Sequence, residues 1–196
     1  MKRRFLALVL AGCLAAVLST TAWASETPTS VSTEMELTTA LGDTAVTSIQ
    51  LKGNIDISNT LVVTKDVTLD LNGFVLKITG SGSVIKIESG TLTLVDSNPS
   101  AEHKFTNDGN DKPWRLDETA GAEKVKGGVI TGGTGSTYKY NNDIGQIVYN
   151  DCGGGMFVAP GASFVMEGGN IVGCSAGKSG GGVKVTNDNG DTVTLS

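Results

Sequence analysis

The chain has 196 residues, enough for one domain or two, and 15 Lys+Arg against 20 Asp+Glu leave a net charge of −5. An acidic surface of this kind argues against nucleic acid and against anionic membrane as partners. Glycine, at 27 residues, is near twice the average usage of about 7%, while aromatics make up 5% and Pro numbers 4, which excludes a Pro-rich stalk and an ordinary aromatic core.

Met1-Lys2-Arg3-Arg4 is a basic start, Phe5 to Leu18 is apolar apart from Gly12, and Ala22-Trp23-Ala24 is a small-x-small cleavage site. These features predict a signal peptide over 1–24, cleaved after Ala24, and a secreted or cell-surface protein. Cleavage removes Lys2, Arg3 and Arg4 and no acid, so the mature charge is −8 and Arg115 is its one arginine. The apolar run is short for a membrane span, and no other stretch is long enough, so no span is expected in the mature chain. Leu10-Ala11-Gly12-Cys13 is similar to a bacterial lipobox, in which Cys13 would be acylated. Against that reading, Leu14 to Val17 stay apolar where lipoproteins turn polar.

Residues 25–44 read as a loose Ser/Thr/Pro-rich leader followed by a short capping helix. Thr33-x-x-Glu36 is a capping box, Met35, Leu37, Ala40 and Leu41 are assigned to one helical face over 34–41, and Gly42 is the stop. From 45 onward short β-branched runs alternate with turn residues such as Gly53-Asn54, Asn72-Gly73 and Ser89-Gly90, and no helical period appears. The runs repeat. Ile49/Leu51 returns 20 residues on as Leu69/Leu71 and 23 further as Leu92/Leu94, and Gly153–Val158 returns 27 residues later as Gly180–Val185. Three short strands in a repeat of this length predict an all-β fold, a parallel β-helix (β-solenoid) whose stacked coils pair every backbone and line up one inward column per strand. The expected coils are 49–51, 55–57 and 61–63; 67–71, 75–78 and 84–87; 91–95, 128–131 and 155–158; and 163–166, 170–172 and 182–185. Strand 192–195 would open an unfinished fifth, giving about four coils with an uncapped C-terminal edge that invites self-association. Two insertions, 98–126 and 134–152, leave the third coil and are expected to meet on one flank.

The stretches Val67–Gly73, Gly90–Ser97, Gly127–Gly133 and Gly180–Val185 resemble the exported right-handed parallel β-helix proteins of gut bacteria, adhesin-like members of the pectate-lyase-like superfamily. The resemblance covers about 45–196. It implies the right-handed helix and a surface setting. It does not imply a reaction, because the shared residues are turn and core residues.

Chemistry is expected in the insertions, since long loops on a rigid scaffold carry binding. They hold Trp114, Tyr138, Tyr140 and Tyr149, whose rings can stack on sugars while their polar tips hydrogen-bond. The alternative is that these aromatics pack the loops onto the scaffold. The expected function is an adhesin-like scaffold binding glycan or a host surface protein, without cofactor, metal or catalysis. An alternative lyase or glycoside hydrolase would rest on a stacked acidic column of Asp70, Asp96 and Glu167 with Arg115, or Lys65, Lys77 or Lys86, as base. A further alternative is a non-functional fragment of a longer surface protein. The acid-rich turns 107–111 and 187–191 lack the spacing of Ca²⁺ loops. Cys152 and Cys174 can pair in an exported protein, although alignment of the Gly-Gly-Gly runs sets Cys152 opposite Ser179.

Overall fold

The computed structural model describes residues 27–107, 109, 114–142 and 145–186, with the backbone alone for 140–142 and 145–150. The expected signal peptide and its cleavage after Ala24, Cys13 and the strand expected at 192–195 lie outside the described residues.

The chain opens with β1 (Thr29–Val31), which lies in the segment read as leader. It is a strand because Val31 inserts into the core and the strand pairs in parallel with β2 (Ser48–Leu51) through Val31 and Leu51. Between them, α1 (Glu34–Gly42) starts at Thr33, whose hydroxyl accepts the Glu36 N–H at 3.2 Å. The return arm of the capping box reaches one residue further than usual, Glu36 accepting from the Ser32 N–H at 2.7 Å. Leu37, Ala40 and Leu41 are buried, but Met35 is 79% exposed. Residues 35 and 37 stand about 200° apart around a helix, so they cannot share a face. The helix is fastened at both ends. Glu34 accepts from the Ser58 N–H and hydroxyl at 2.8 Å each, and the Lys65 ammonium donates to the carbonyls of Ala40, Asp43 and Val46 around the helix C-terminus.

After β2 the chain visits three parallel sheets in rotation. β3 (Ile55–Ile57) and β4 (Leu61–Val63) are followed by β5 (Val67–Asp70), β6 (Val75–Ile78) and β7 (Ile85–Ile87). β8 (Thr91–Val95) leads into the first insertion, built from β9 (Glu102–Thr106), β10 (Arg115–Leu116) and β11 (Glu123–Lys126). β12 (Val129–Thr131) leads into the second, a hairpin of β13 (Ser136–Asn142) and β14 (Gly145–Cys152). β15 (Met156–Val158), β16 (Ser163–Met166), β17 (Asn170–Ile171) and β18 (Val183–Val185) resume the rotation. The first sheet runs β1-β2-β5-β8-β16, the second β3-β6-β12-β17 and the third β4-β7-β15-β18. All pairings within these three sheets are parallel.

Strand alternation produces the core. Ile55, Leu76, Ile130 and Ile171 form one inward column of the second sheet, and Leu61, Ile85, Met156 and Val183 one of the third. Each fully buried aliphatic side chain contributes about 1.5–3 kcal/mol. In the first sheet Leu69 pairs with Leu94, not Leu92, so the offset there is 25 residues instead of the expected 23. The 27-residue offset of the Gly-Gly-Gly runs is met, with Met156 on Val183 and an isolated bridge between Cys152 and Ser179. The insertions, expected as loops, contain antiparallel strands, ordered β10-β9-β11 in the first and paired β13 to β14 in the second.

Candidate functional site

The bend from the first sheet to the second is a ladder of polar links between successive passes of the chain. Asp70 accepts from the Gln50 side chain at 2.7 Å, the Asn72 N–H at 2.8 Å and the Ser97 N–H at 2.9 Å. Burial pushes its carboxyl up, but these bonds together outweigh burial and hold it below the usual value. Asp96 accepts from the Gly73 N–H at 2.6 Å and the Gly128 N–H at 2.7 Å. The turn they serve requires left-handed backbone, with φ of 49° at Asn72 and 76° at Gly73. The expected acidic column does not form in register, because Asp70 pairs with Val95 rather than Asp96, and the Glu167 N–H bonds to Leu94. Arg115 is not brought to these acids. They sit at the start of β6, whereas Arg115 lines a cleft past its other end. Of the lysines, Lys65 is held by the carbonyls behind α1 and Lys86 pairs with Glu88 at 2.6 Å, while Lys77 lines the same cleft as Arg115.

Both insertions pack onto the outer faces of the sheets. In the first, Phe105 is buried against Val75 and Val129, with Leu116, Val125 and Val172 around it. His103, 8% exposed, is held by Glu118 at 2.8 Å through Nδ1 and by the Gly73 carbonyl at 2.9 Å through Nε2, which ties the insertion to the sheet bend. In the second, Tyr138 packs on the cluster of Cys152, Phe157 and Ala159. Its ring centroid lies 5.0 Å from that of Phe157, and the Lys86 Nζ sits 4.3 Å above it. Tyr138 is thus half-buried and packs onto the scaffold. The side chains of Tyr140 and Tyr149 lie outside the described residues. Their backbones pair with Ile147 and Tyr138 respectively.

Trp114 behaves differently. It is 40% exposed and lines a cleft of about 390 Å³ where the second sheet bends toward the third. It is lined by Trp114, Arg115 and Leu116 of the first insertion and by Lys77, Thr131 and Ser175 of the scaffold. Thr134, the first residue of the second insertion, also lines it, while the bodies of the two insertions pack on different sheets, the first on Val75 and Val129 and the second on Phe157. Gly173, with φ 67°, admits the Trp114 backbone: a Cβ there would lie 2.2 Å from the Trp114 carbonyl oxygen. Sequence reasoning singled out Trp114 and Arg115 but gave no role to Lys77 on this side or to Ser175. A larger groove of about 700 Å³ runs between α1 and β4, past the exposed Met35 and Val62, but has no aromatic or cationic side chain in its lining.

No disulfide joins Cys152 and Cys174 in the structure. The Cys152 Sγ lies 3.4 Å from the Ser179 hydroxyl. The Cys174 thiol faces the carbonyls of Ile130 and Val172, and burial pushes its pKa up. No helix among the described residues is long and apolar enough to cross a membrane.

A family model described as "Putative pectate lyase-like adhesive domain" matches residues 28–145, more than half of the chain. No curated protein and no solved structure matches.

Proposed function

Because the chain belongs to the pectate lyase-like adhesive domain family, we propose that it is an exported, non-catalytic surface scaffold that binds glycan in the Trp114 cleft. In this reading the three rotating sheets form a right-handed parallel β-helix of about four coils, and the first insertion supplies the binding flank. The observation that carries it is the cleft itself, about 390 Å³ in volume between the first insertion and the bend of the second sheet, with the Trp114 ring 40% exposed at its edge. An indole face excludes water from the apolar face of a pyranose while hydroxyls bond at the rim. Support for a non-catalytic role comes from Asp70 and Asp96, whose carboxylate oxygens are engaged by backbone N–H groups of the sheet bends.

The test is binding of the purified protein to an immobilised panel of plant, mucin and bacterial glycans, with product release assayed on the same panel. Binding by the wild type, weakened at least tenfold in Trp114→Ala, or about 1.4 kcal/mol, with an unchanged circular dichroism spectrum, is the expected result. Equal binding by Trp114→Ala removes the cleft as the site, and release of reducing or unsaturated ends removes the non-catalytic reading.

A further inference from the structure

We infer that His103 is a pH-sensitive latch: as a doubly protonated imidazolium it fastens the first insertion to the bend of the scaffold, and loss of one ring proton releases it. The latch concerns the insertion itself, whatever the Trp114 cleft binds.

His103 sits on the buried face of β9, 8% exposed, two residues from Phe105. Both of its ring nitrogens meet oxygen. Nδ1 lies 2.8 Å from a Glu118 carboxylate oxygen and Nε2 lies 2.9 Å from the Gly73 carbonyl oxygen. A carbonyl oxygen only accepts, so Nε2 must carry a proton. The second Glu118 oxygen accepts the Lys104 N–H at 3.2 Å, and the Glu118 side chain is 44% exposed, so water and a backbone donor both hold it as the charged acceptor. Nδ1 must then carry a proton as well. A neutral imidazole has one N–H and would turn a lone pair toward one of the two oxygens.

The charged groups on every side suit this form. On β9, Glu102 and Lys104 alternate to the opposite face from His103. On β11 the residue paired with His103 is Val125; Lys124 and Lys126 flank it on the opposite face, and Glu123, beyond it, is exposed and pairs with Phe105. Lys124 bonds Glu102 at 2.8 Å. In the turn after β10, Asp117 is held below the usual carboxylate range by the Ala120 and Thr119 donors and, least, by Arg115. Beneath the insertion, Val75 and Val129 carry no charge. At the bend, Asp96 accepts the N–H of Gly73 and Asp70 that of Asn72. Asp108, Asp111 and Lys112 of the same insertion lie outside the described residues. Acids thus stand toward the ring from the insertion and from the bend, and both favour its cationic form.

The rest of the docking has no titrating part. Phe105, Leu116 and Val125 rest on Val75, Val129 and Val172, and the Asn170 amide donates to the Lys126 carbonyl at 2.7 Å. His103 therefore adds the one contact that a proton can switch. Its hydrogen bonds are charge-assisted on the acid side and are lost as pH rises through the ring's transition. Histidine is the side chain whose ordinary titration falls near neutrality. Because β9 pairs with β10, which follows Trp114 directly, opening at His103 loosens the backbone that presents Trp114.

The chain has a single histidine, so its ring signals identify themselves. Nitrogen-15 NMR of the whole protein from about pH 5 to about pH 9 reads both ring nitrogens. Hydrogen exchange reads the insertion through the Lys104 amide, bonded to Glu118, and the Asp117 amide, bonded to the Lys104 carbonyl. The expected result is two protonated nitrogens on the acid side. On the basic side both amides should lose protection by about tenfold or more, after correction for intrinsic exchange, with the ring's own midpoint. Glu118→Gln, which removes the charge and keeps an oxygen, should move that shared midpoint to lower pH. His103→Gln should leave both amides without a pH step. A ring that keeps one protonation state across the whole range in folded wild-type protein overturns the inference, and so does protection that ignores the ring's transition.

Discussion

Replacing Asp96 with Asn separates a structural carboxylate from a catalytic one. In the folded protein its two oxygens accept from different passes of the chain, Gly73 N–H at 2.6 Å and Gly128 N–H at 2.7 Å. Hydrogen bonds to a charged acceptor are worth about 1.5–3 kcal/mol each. The amide keeps one oxygen and turns an NH₂ group toward the other backbone N–H. One bond is lost, the second loses its charge, and a half-buried donor is left facing a donor. The expected destabilisation is about 3 kcal/mol. For a domain of this size each kcal/mol moves the melting temperature by about 2–4 °C, so Asp96→Asn should melt about 6–12 °C below wild type. Thermal unfolding followed by circular dichroism measures this, and hydrogen exchange at the Gly73 and Gly128 amides reports the two bonds directly. A melting temperature within about 2 °C of wild type, with both amides still protected, would refute the reasoning and return Asp96 to the list of available acids.

Asp70 makes the same bend sensitive to acid. Its carboxyl is lowered in the folded state, so its contribution is fully present above the unfolded value near 3.9 and is lost as pH falls through the folded one. Melts between about pH 6 and pH 2 should show a drop below about pH 4 that is shallower in Asp70→Asn, and an identical acid slope would contradict this. Gly133→Ala should cost about 1–3 kcal/mol or more, because its Cβ would lie 1.8 Å from the Gly154 carbonyl oxygen, a backbone atom that cannot rotate away. Gly53→Ala, where a Cβ meets nothing within 4 Å, is the control, and equal melting temperatures for the two variants would sink the argument.

The scaffold strands were legible because parallel strands buried on one face write themselves as short alternations of Val, Ile and Leu between turn residues. The predicted bounds and the observed ones differ by no more than one residue at either end of each, as in 84–87 against Ile85–Ile87. What failed was set by contacts distant in sequence. The register that pairs Leu69 with Leu94 follows from how Asp70, Asp96 and Ser97 tie two bends together, which alternation alone does not encode. β9 was missed because one of its two buried positions is His103, a polar residue that tolerates burial only because Glu118 and the Gly73 carbonyl satisfy both ring nitrogens. β1 was missed because a three-residue strand in a Ser/Thr-rich segment shows one apolar side chain, Val31. At the site, Trp114 and Arg115 were visible as residue types in an insertion. Their meeting with Lys77 depends on Gly173 admitting the Trp114 backbone, a contact across 59 residues.

The packing beneath the cleft bears on how a wall carried by an insertion can bind at all. A mobile loop must be ordered when ligand arrives, and that ordering subtracts from affinity. Here the residue after Arg115 is already fixed. Leu116 packs into the cluster formed by Phe105, Val75 and Val129, side chains whose burial contributes about 1.5–3 kcal/mol each for the larger ones, and β10 is hydrogen-bonded to β9. His103 joins the same strand to the sheet bend. The backbone on which Trp114 and Arg115 sit is therefore held by folding rather than by ligand, and Lys77 is fixed on a strand paired on both sides. Disturbing this support should weaken binding without touching the cleft: a loosened insertion lowers the fraction of molecules with Trp114 in place, and apparent affinity falls by that fraction.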